Sequence, residues 1–187
     1  IILRAVNQED FVTAIAGDDP DLQRTSVGFF PPGLPAANDA GMAALKPLLT
    51  PEEAGKALRA AGYNGEKIIQ LAPGDYPNVK AASEVLADLL KRMGVNLDYQ
   101  SIDWATMSAR MQRHDPIDKG GFHLHMLVVP GLTLATPMLS GRLRATGNAT
   151  ESGWYKSDRY EELRRQWLDA AEPAQQRALE RAMQEEA

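Results

Sequence analysis

Apolar side chains recur at helical spacing in several segments that glycine and proline separate. Residues 1–15 show this spacing, and Gly17 follows as a stop signal. The clearest helix start is at Thr50, which stands before a proline as the expected N-cap, with Glu53 three residues later as in a capping box. This helix is predicted to end at Gly62.

Short apolar runs between the helices predict the strands of a sheet. Residues 67–72 form one such run, and residues 95–102 alternate apolar and polar side chains as a half-buried strand does. Residues 121–129 form a third, largely apolar run, which we expect to be the central strand. Strands that alternate with helices predict an α/β domain, with a mixed β-sheet flanked by helices and one domain over residues 1–187. Further helices are predicted at residues 79–93, from a cap at Asp103 to Met111, from Ser157 onward and at residues 173–186.

Composition narrows the class of protein. Twenty lysines and arginines stand against 25 acidic residues, a net charge of −5, and no stretch concentrates basic charge as a nucleic-acid surface would. The absence of cysteine excludes disulfide scaffolds, thiolate nucleophiles and cysteine zinc sites. Because the chain begins with Ile1 and a helical pattern runs to its last residues, we interpret it as a piece of a longer protein.

Three histidines are the candidate metal ligands. His123 and His125 are two residues apart on a predicted strand, which puts both side chains on one face, and His114 lies nearby. Neutral imidazole binds Ni, Zn and Cu, so a metal-binding domain is one interpretation. No further ligand stands at a recognisable spacing, which favours structural or ligand-lining histidines.

Motifs of catalysis are missing from the sequence. It contains no G-x-S-x-G, H-E-x-x-H or P-loop pattern, and its carboxylates fall at helix starts and on polar faces. We therefore expect no enzyme activity and no cofactor. The aromatic residues Phe29, Phe30 and Trp104 are either core anchors of loops or part of an apolar ligand pocket.

Five segments resemble, in the family's own order, motifs of family 5 extracellular solute-binding proteins, the peptide- and nickel-type periplasmic receptors of ABC importers. One ends in Leu-Arg-Ala-Ala-Gly-Tyr at Tyr63, and another ends in Asp-Trp at Trp104. Together the segments extend over nearly the whole chain. They are residues 3–12, 30–35, 54–63, 85–104 and 153–183.

The resemblance implies both a fold and a function. Members of the family have two lobes that close over a ligand, and this chain would be most of the second lobe of a type II periplasmic-binding-protein-like fold, truncated at both ends. It would capture a small solute, a peptide or a peptide-like compound, for the permease subunits of an ABC importer. Its partners would be that permease and the missing first lobe, in the periplasm or lipid-anchored outside the cell. A sensor or regulator that reuses this lobe is the other alternative.

One position departs from the family pattern. Thr133 stands where peptide-binding members carry an aspartate that anchors the ligand's amino end, and no aromatic residue occupies the tryptophan positions beside it. A hydroxyl cannot form a charge-assisted pair with an ammonium group, so the resemblance implies a less cationic or capped ligand. It implies ligand-facing positions at Phe30, His125, Val129 and Thr133.

Overall fold

The computed structural model describes residues 1–147 and 153–187, which divide into two compact units. Unit 1 comprises Ile1–Thr25 and Leu45–Val128, and unit 2 comprises Ser26–Ala44 and Val129–Ala187. Among the helices described, none has the length and apolar character required to cross a membrane. In chain order the elements are α1 (Gln8–Ala16), α2 (Pro51–Ala60), β1 (Ile68–Pro73), α3 (Pro77–Arg92), β2 (Leu97–Ile102), α4 (Trp104–Met111), β3 (Leu124–His125), α5 (Asp158–Asp169) and α6 (Pro173–Glu186).

Short 3-10 turns fill much of the chain between these elements. They lie at Ile2–Ala5, Pro20–Leu22, Met42–Leu45, Ile117–Lys119, Gly131–Leu134 and Gly141–Leu143.

In unit 1 the described strands form one parallel sheet in the order β2-β1-β3. Side chains of β1 alternate between the two faces, so Ile69 and Leu71 pack with Met107 of α4. On the other face Gln70, fully buried, donates from Nε2 to the carbonyl oxygen of Ser83 in α3 over 2.8 Å. Helices therefore cover both faces of the sheet, which confirms the predicted α/β class.

The prediction of a long, central third strand at residues 121–129 is wrong. β3 pairs with β1 over only two residues, and it lies at an edge of the sheet. Successive residues of a strand direct their backbone N–H and C=O groups to the neighbouring strands on opposite sides. The residues of β1 whose backbone groups face β3 are therefore Ile69, Leu71 and Pro73. Proline has no N–H, so the ladder loses its next donor after Leu71.

The single helix predicted over residues 1–15 is also wrong in its continuity. A 3-10 turn at Ile2–Ala5 precedes α1, and the chain between them is extended at Asn7. The side-chain oxygen of Asn7 accepts the backbone N–H of Glu9 at 3.3 Å. The apolar spacing was correct, but asparagine is a preferred N-cap and starts a new helix there.

The capping box at the start of α2 is confirmed. Thr50 Oγ1 accepts the Glu53 N–H at 3.2 Å, and Glu53 Oε2 accepts the Thr50 N–H at 2.8 Å. This second bond is the main reason that the pKa of Glu53 lies below its ordinary value. The predicted caps Asp103 and Ser157 likewise accept backbone N–H groups in the first turns of α4 and α5.

Unit 2 is built on the packing of α5 against α6. Tyr160 and Leu163 of α5 share a buried cluster with Met183 of α6, and burial raises the pKa of Tyr160 to about 12. A hydrogen bond between residues far apart in the sequence joins α6 to the segment 26–44: Gln184 Nε2 donates to the carbonyl oxygen of Ala40 at 2.8 Å.

Candidate functional site

Two aromatic rings lie side by side just beyond the carboxyl ends of β1 and β2. The ring centroids of Tyr76 and Trp104 are 5.5 Å apart, with 30° between the planes. Tyr76 is 50% exposed, whereas Trp104 is partly buried against the cluster that includes Met107. Ligands of open α/β sheets bind outside the carboxyl ends of the strands, so we take this edge as the candidate site of unit 1.

Two hydrogen bonds donated by backbone N–H groups hold the two loops of this edge together. The Gly74 N–H donates to the carbonyl oxygen of Ile102 at 2.7 Å. The Trp104 N–H donates to Asp75 Oδ1 at 2.8 Å, which fastens the loop after β1 to the start of α4. The positions of both rings are therefore set by regular elements of the fold.

Two exposed carboxylates accompany the rings. Asp75 and Asp103 are both exposed, and hydrogen bonds from Thr106 lower the pKa of Asp103. Ring faces provide apolar contact area, and carboxylate oxygens accept hydrogen bonds from N–H groups. The edge is thus suited chemically to a ligand that carries apolar side chains and N–H donors.

The two histidines of residues 121–129 have different surroundings. His123 Nδ1 accepts the backbone N–H of Ile69 at 2.9 Å, while the ring of His125 contacts Phe122 edge-on with centroids 5.5 Å apart. In the part of the chain that is described, no three His, Asp or Glu side chains converge as a metal site does, His114 included. The metal-binding interpretation is not supported.

Unit 2 carries the other three predicted ligand-facing residues. Phe30 is only 1% exposed and packs in a cluster with Leu143, so its ring supports the loop from within. Thr133 is exposed in the turn Gly131–Leu134, and its Oγ1 donates to the carbonyl oxygen of Pro130 at 2.7 Å. Val129 is half-buried.

In unit 2 the segments that carry two of the predicted ligand-facing residues, Thr133 and Phe30, lie against each other. A Cβ on Gly131 would lie 3.3 Å from the ring carbons of Pro31, so the turn that bears Thr133 packs against the residue after Phe30. His125 belongs to unit 1. Ligand contact at His125, Val129, Thr133 and Phe30 stays a prediction.

Asp75 and Tyr76 were missed by the sequence reasoning. The available signal was their position, because they follow the Pro-Gly that ends a buried strand. Arg164 was missed as well, because an arginine among the polar residues of a helix is expected to be exposed, whereas this residue is buried, with 6% exposure. Nothing local in the sequence marks an arginine as buried.

Comparisons with known proteins identify the family and the fold of the chain. Residues 2–128 match the family model of bacterial extracellular solute-binding proteins, family 5 (middle). A probable peptide ABC transporter periplasmic-binding protein of Sinorhizobium fredii, y4tO, is 32% identical over 183 residues. The alignment covers 98% of this chain and 34% of that protein, so the chain spans about a third of its length.

Solved structures of solute-binding proteins share the fold. The ABC transporter substrate-binding protein CtaP from Listeria monocytogenes superposes with a TM-score of 0.74 at 15% identity, over 98% of this chain and 37% of that one. A dipeptide-binding protein from Pseudoalteromonas sp. SM9913, in complex with Met-Leu, gives 0.71 at 18% identity, over 99% and 36%. The chain therefore has part of the type II periplasmic-binding-protein fold.

Proposed function

Because the chain belongs to the bacterial extracellular solute-binding proteins of family 5, we propose that it is part of the substrate-binding component of an ABC-type importer. In this role it captures a small solute, a peptide or a peptide-like compound, and delivers it to permease subunits in the membrane. The 32% identity to a peptide transporter's binding protein, across 98% of the chain, is the observation that carries the proposal. Binding and release need no cofactor and no chemical step.

The lobe organisation is part of the same proposal. Residues 1–187 would form the second lobe, and chain outside this stretch would supply the first. The S. fredii relative has about three times this length, so about two thirds of its chain lies outside the matched stretch, which supports the presence of a first lobe. Two lobes that close about a hinge bind a ligand by stabilising the closed population. The protein would act in the periplasm or lipid-anchored at the cell surface.

The proposed ligand surface of unit 1 is the carboxyl edge of its sheet. Tyr76 and Trp104 would contact apolar side chains of the ligand, Asp75 would accept an N–H group, and His125 would line the same edge. The hydrogen bond between the Asp75 carboxylate and the Trp104 backbone keeps this arrangement in place in the free protein. A preformed site loses less conformational entropy on binding.

The proposed ligand surface of unit 2 is the exposed turn that carries Thr133, with Val129 beside it and Phe30 as its buried support. The hydroxyl proton of Thr133 is already donated to the carbonyl oxygen of Pro130. The oxygen therefore offers only lone pairs, which accept an N–H group but carry no negative charge to balance an ammonium group. This favours a less cationic or N-terminally capped ligand over a free dipeptide.

Native mass spectrometry on the protein expressed from its complete coding sequence tests the proposal. We expect a co-purified organic compound that rebinds after removal, with a Kd of about 1 μM, equivalent to about −8 kcal/mol. A panel of free and N-acetylated peptides then separates the two ligand classes. A stoichiometric Ni or Zn adduct in place of an organic compound, or failure of every peptide to bind, would contradict the proposal.

Variants locate the site. Trp104→Ala should weaken binding at least tenfold, because it removes one of the two rings at the strand ends. Leu168→Ala is the control, since Leu168 is an exposed apolar residue (57%) on α5 that belongs to neither of the proposed ligand surfaces. Equal affinities for the Trp104 variant and the wild type would remove the carboxyl edge of the sheet from the site.

A further inference from the structure

We infer that the imidazole of His123 is a positioning group, which completes the ladder between β1 and β3 and thereby fixes the place of His125. The statement about the ladder rests on geometry alone, while its consequence for ligand binding rests on the proposed function.

One residue takes both backbone groups of Ile69. The Ile69 N–H donates to His123 Nδ1 at 2.9 Å, and the His123 N–H donates to the carbonyl oxygen of Ile69 at 2.9 Å. Ile69 is 7% exposed, so its N–H is in a place where an unpaired donor is strongly disfavoured. The imidazole nitrogen thus stands where a backbone carbonyl would otherwise have to be.

The alternation along β1 explains why a side chain is needed. The N–H groups of Ile68 and Gly74 point to the β2 side, where they donate to carbonyl oxygens at 2.9 and 2.7 Å. The intervening odd-numbered residues therefore face β3, and of these Pro73 has no N–H. Only Ile69 and Leu71 can donate to β3, and His123 accepts one of these two bonds through its side chain.

The bond from the Ile69 N–H to His123 Nδ1 holds the ring in one orientation, and with it the start of β3. His125 lies two residues further on and is in register with Leu71. Since β3 has only two paired residues, the two hydrogen bonds between Ile69 and His123 are a large part of what holds His125 in place.

Two substitutions separate the acceptor from the bulk of the side chain. In His123→Asn an oxygen lies the same number of bonds from Cβ as Nδ1 does, so an acceptor is retained. His123→Leu fills similar space without an acceptor. Both are made in the protein expressed from its complete coding sequence. Three quantities are measured: amide hydrogen exchange at Ile69, the NMR resonances of the His125 ring, and the Kd for the best-binding N-acetylated peptide.

We expect His123→Leu to speed exchange at Ile69 at least tenfold, to shift the His125 resonances and to weaken peptide binding at least fivefold. His123→Asn should return the exchange rate and the Kd to within about threefold of the wild-type values. The His125 resonances should return close to their wild-type positions. The Ile68 amide, which donates to the β2 side, is the internal reference and should not change. Such rescue by an acceptor is not expected if the side chain merely fills space.

The other outcomes overturn the inference in separable ways. Unchanged Ile69 exchange in His123→Leu would contradict the ladder. Faster exchange with unmoved His125 resonances would contradict the positioning of His125. If the wild type binds no peptide, the proposed function fails by itself, and the exchange and resonance measurements still decide the inference.

Discussion

The guanidinium of Arg164 and the carboxylate of Glu161 pair at 2.6 Å on α5, and each also holds the chain that precedes the helix. Arg164 Nε donates to the carbonyl oxygen of Pro137 at 3.2 Å, and Glu161 Oε1 accepts the Ala145 N–H at 2.6 Å. Between these two points the chain makes the short turn Gly141–Leu143, whose hydrogen bonds are local. A largely buried ion pair thus fastens residues 137–145 at two points.

Arg164→Met should lower the free energy of unfolding by about 2–3 kcal/mol. The change leaves the Glu161 carboxylate without its cation and frees a carbonyl oxygen, and breaking a fully buried pair costs about 3–5 kcal/mol. The smaller value is expected because Glu161 keeps 24% of its side chain exposed. Urea unfolding of the two proteins measures the difference.

Arg165→Met is the matched control. Arg165 pairs with Glu162 at the same spacing on the same helix, but its side chain is 72% exposed. An exposed pair contributes about 0–1 kcal/mol, so this variant should stay within about 0.5 kcal/mol of the wild type. Equal losses in the two variants would show that burial of Arg164 is irrelevant to its contribution.

Gly55→Ala should destabilise the protein although alanine is the better helix former. Alanine gains about 1 kcal/mol over glycine inside a helix. A Cβ at Gly55, however, would lie 2.2 Å from the carbonyl oxygen of Met93, a backbone atom that cannot rotate away. Overpacking costs about 1–3 kcal/mol, so we expect a net loss of up to about 2 kcal/mol.

The midpoint of thermal unfolding measures this loss. The control is Ala57→Gly on the same helix, where loss of propensity alone should cost about 1 kcal/mol. A higher midpoint for Gly55→Ala would mean that α2 and the end of α3 are not in contact as described.

What the sequence could predict was largely local. The capping box of Thr50 and Glu53 joins residues three apart, so its pattern is complete in one short window. The bond between His123 and Ile69 joins residues 54 apart, and it depends on which strands become neighbours. The apolar run around His123 carries no such information, and it predicted a strand far longer than β3.

The candidate site likewise combines a residue that the local sequence singled out with a contact that joins residues far apart in the sequence. Trp104 could be singled out because it follows the end of a predicted strand, but its neighbour Tyr76 is 28 positions earlier in the sequence. Their contact follows from the parallel pairing of β1 and β2, which puts both carboxyl ends at one edge. Spacing along the chain does not determine strand order, so the contact between the two rings could be recognised only in the structure.

Gly28→Ala should loosen the attachment of the 26–44 segment to α6. A Cβ at Gly28 would lie 2.0 Å from Oε1 of Gln184, and the same amide is held by its Nε2 bonds to the carbonyl oxygens of Asn38 and Ala40. Either the amide gives up these bonds or the segment moves. We expect a loss of about 1–3 kcal/mol in the free energy of unfolding, with faster amide exchange at residues 36–40.

The double variant Gly28→Ala, Gln184→Ala tests the cause. Removing the amide makes room for the new methyl group, so the effects of the two substitutions should fall short of their sum by at least about 0.5 kcal/mol. Additive effects would mean that Gly28 is needed for some other reason than its contact with Gln184.

Glu180 on α6 carries a buried carboxyl group whose charge opposes folding. It is 6% exposed, and burial raises its pKa although Trp167 Nε1 donates to Oε1 at 2.9 Å. Below the unfolded-state pKa of about 4.3 the carboxyl is protonated in both states. As pH rises through that value the unfolded chain ionises first, so stability falls until the folded-state pKa is passed.

Glu180→Gln should therefore be more stable than the wild type at pH 7, with a Tm higher by ~2–4 °C. Glutamine keeps an oxygen that accepts the Trp167 N–H but has no charge to bury. The difference in Tm should shrink as pH falls and vanish below about pH 4, because the wild-type carboxyl is then neutral. Glu185→Gln, at an exposed position of the same helix, should show no such gain at pH 7. A difference in Tm that is the same at pH 4 and pH 7 would assign the effect to packing and not to the buried charge.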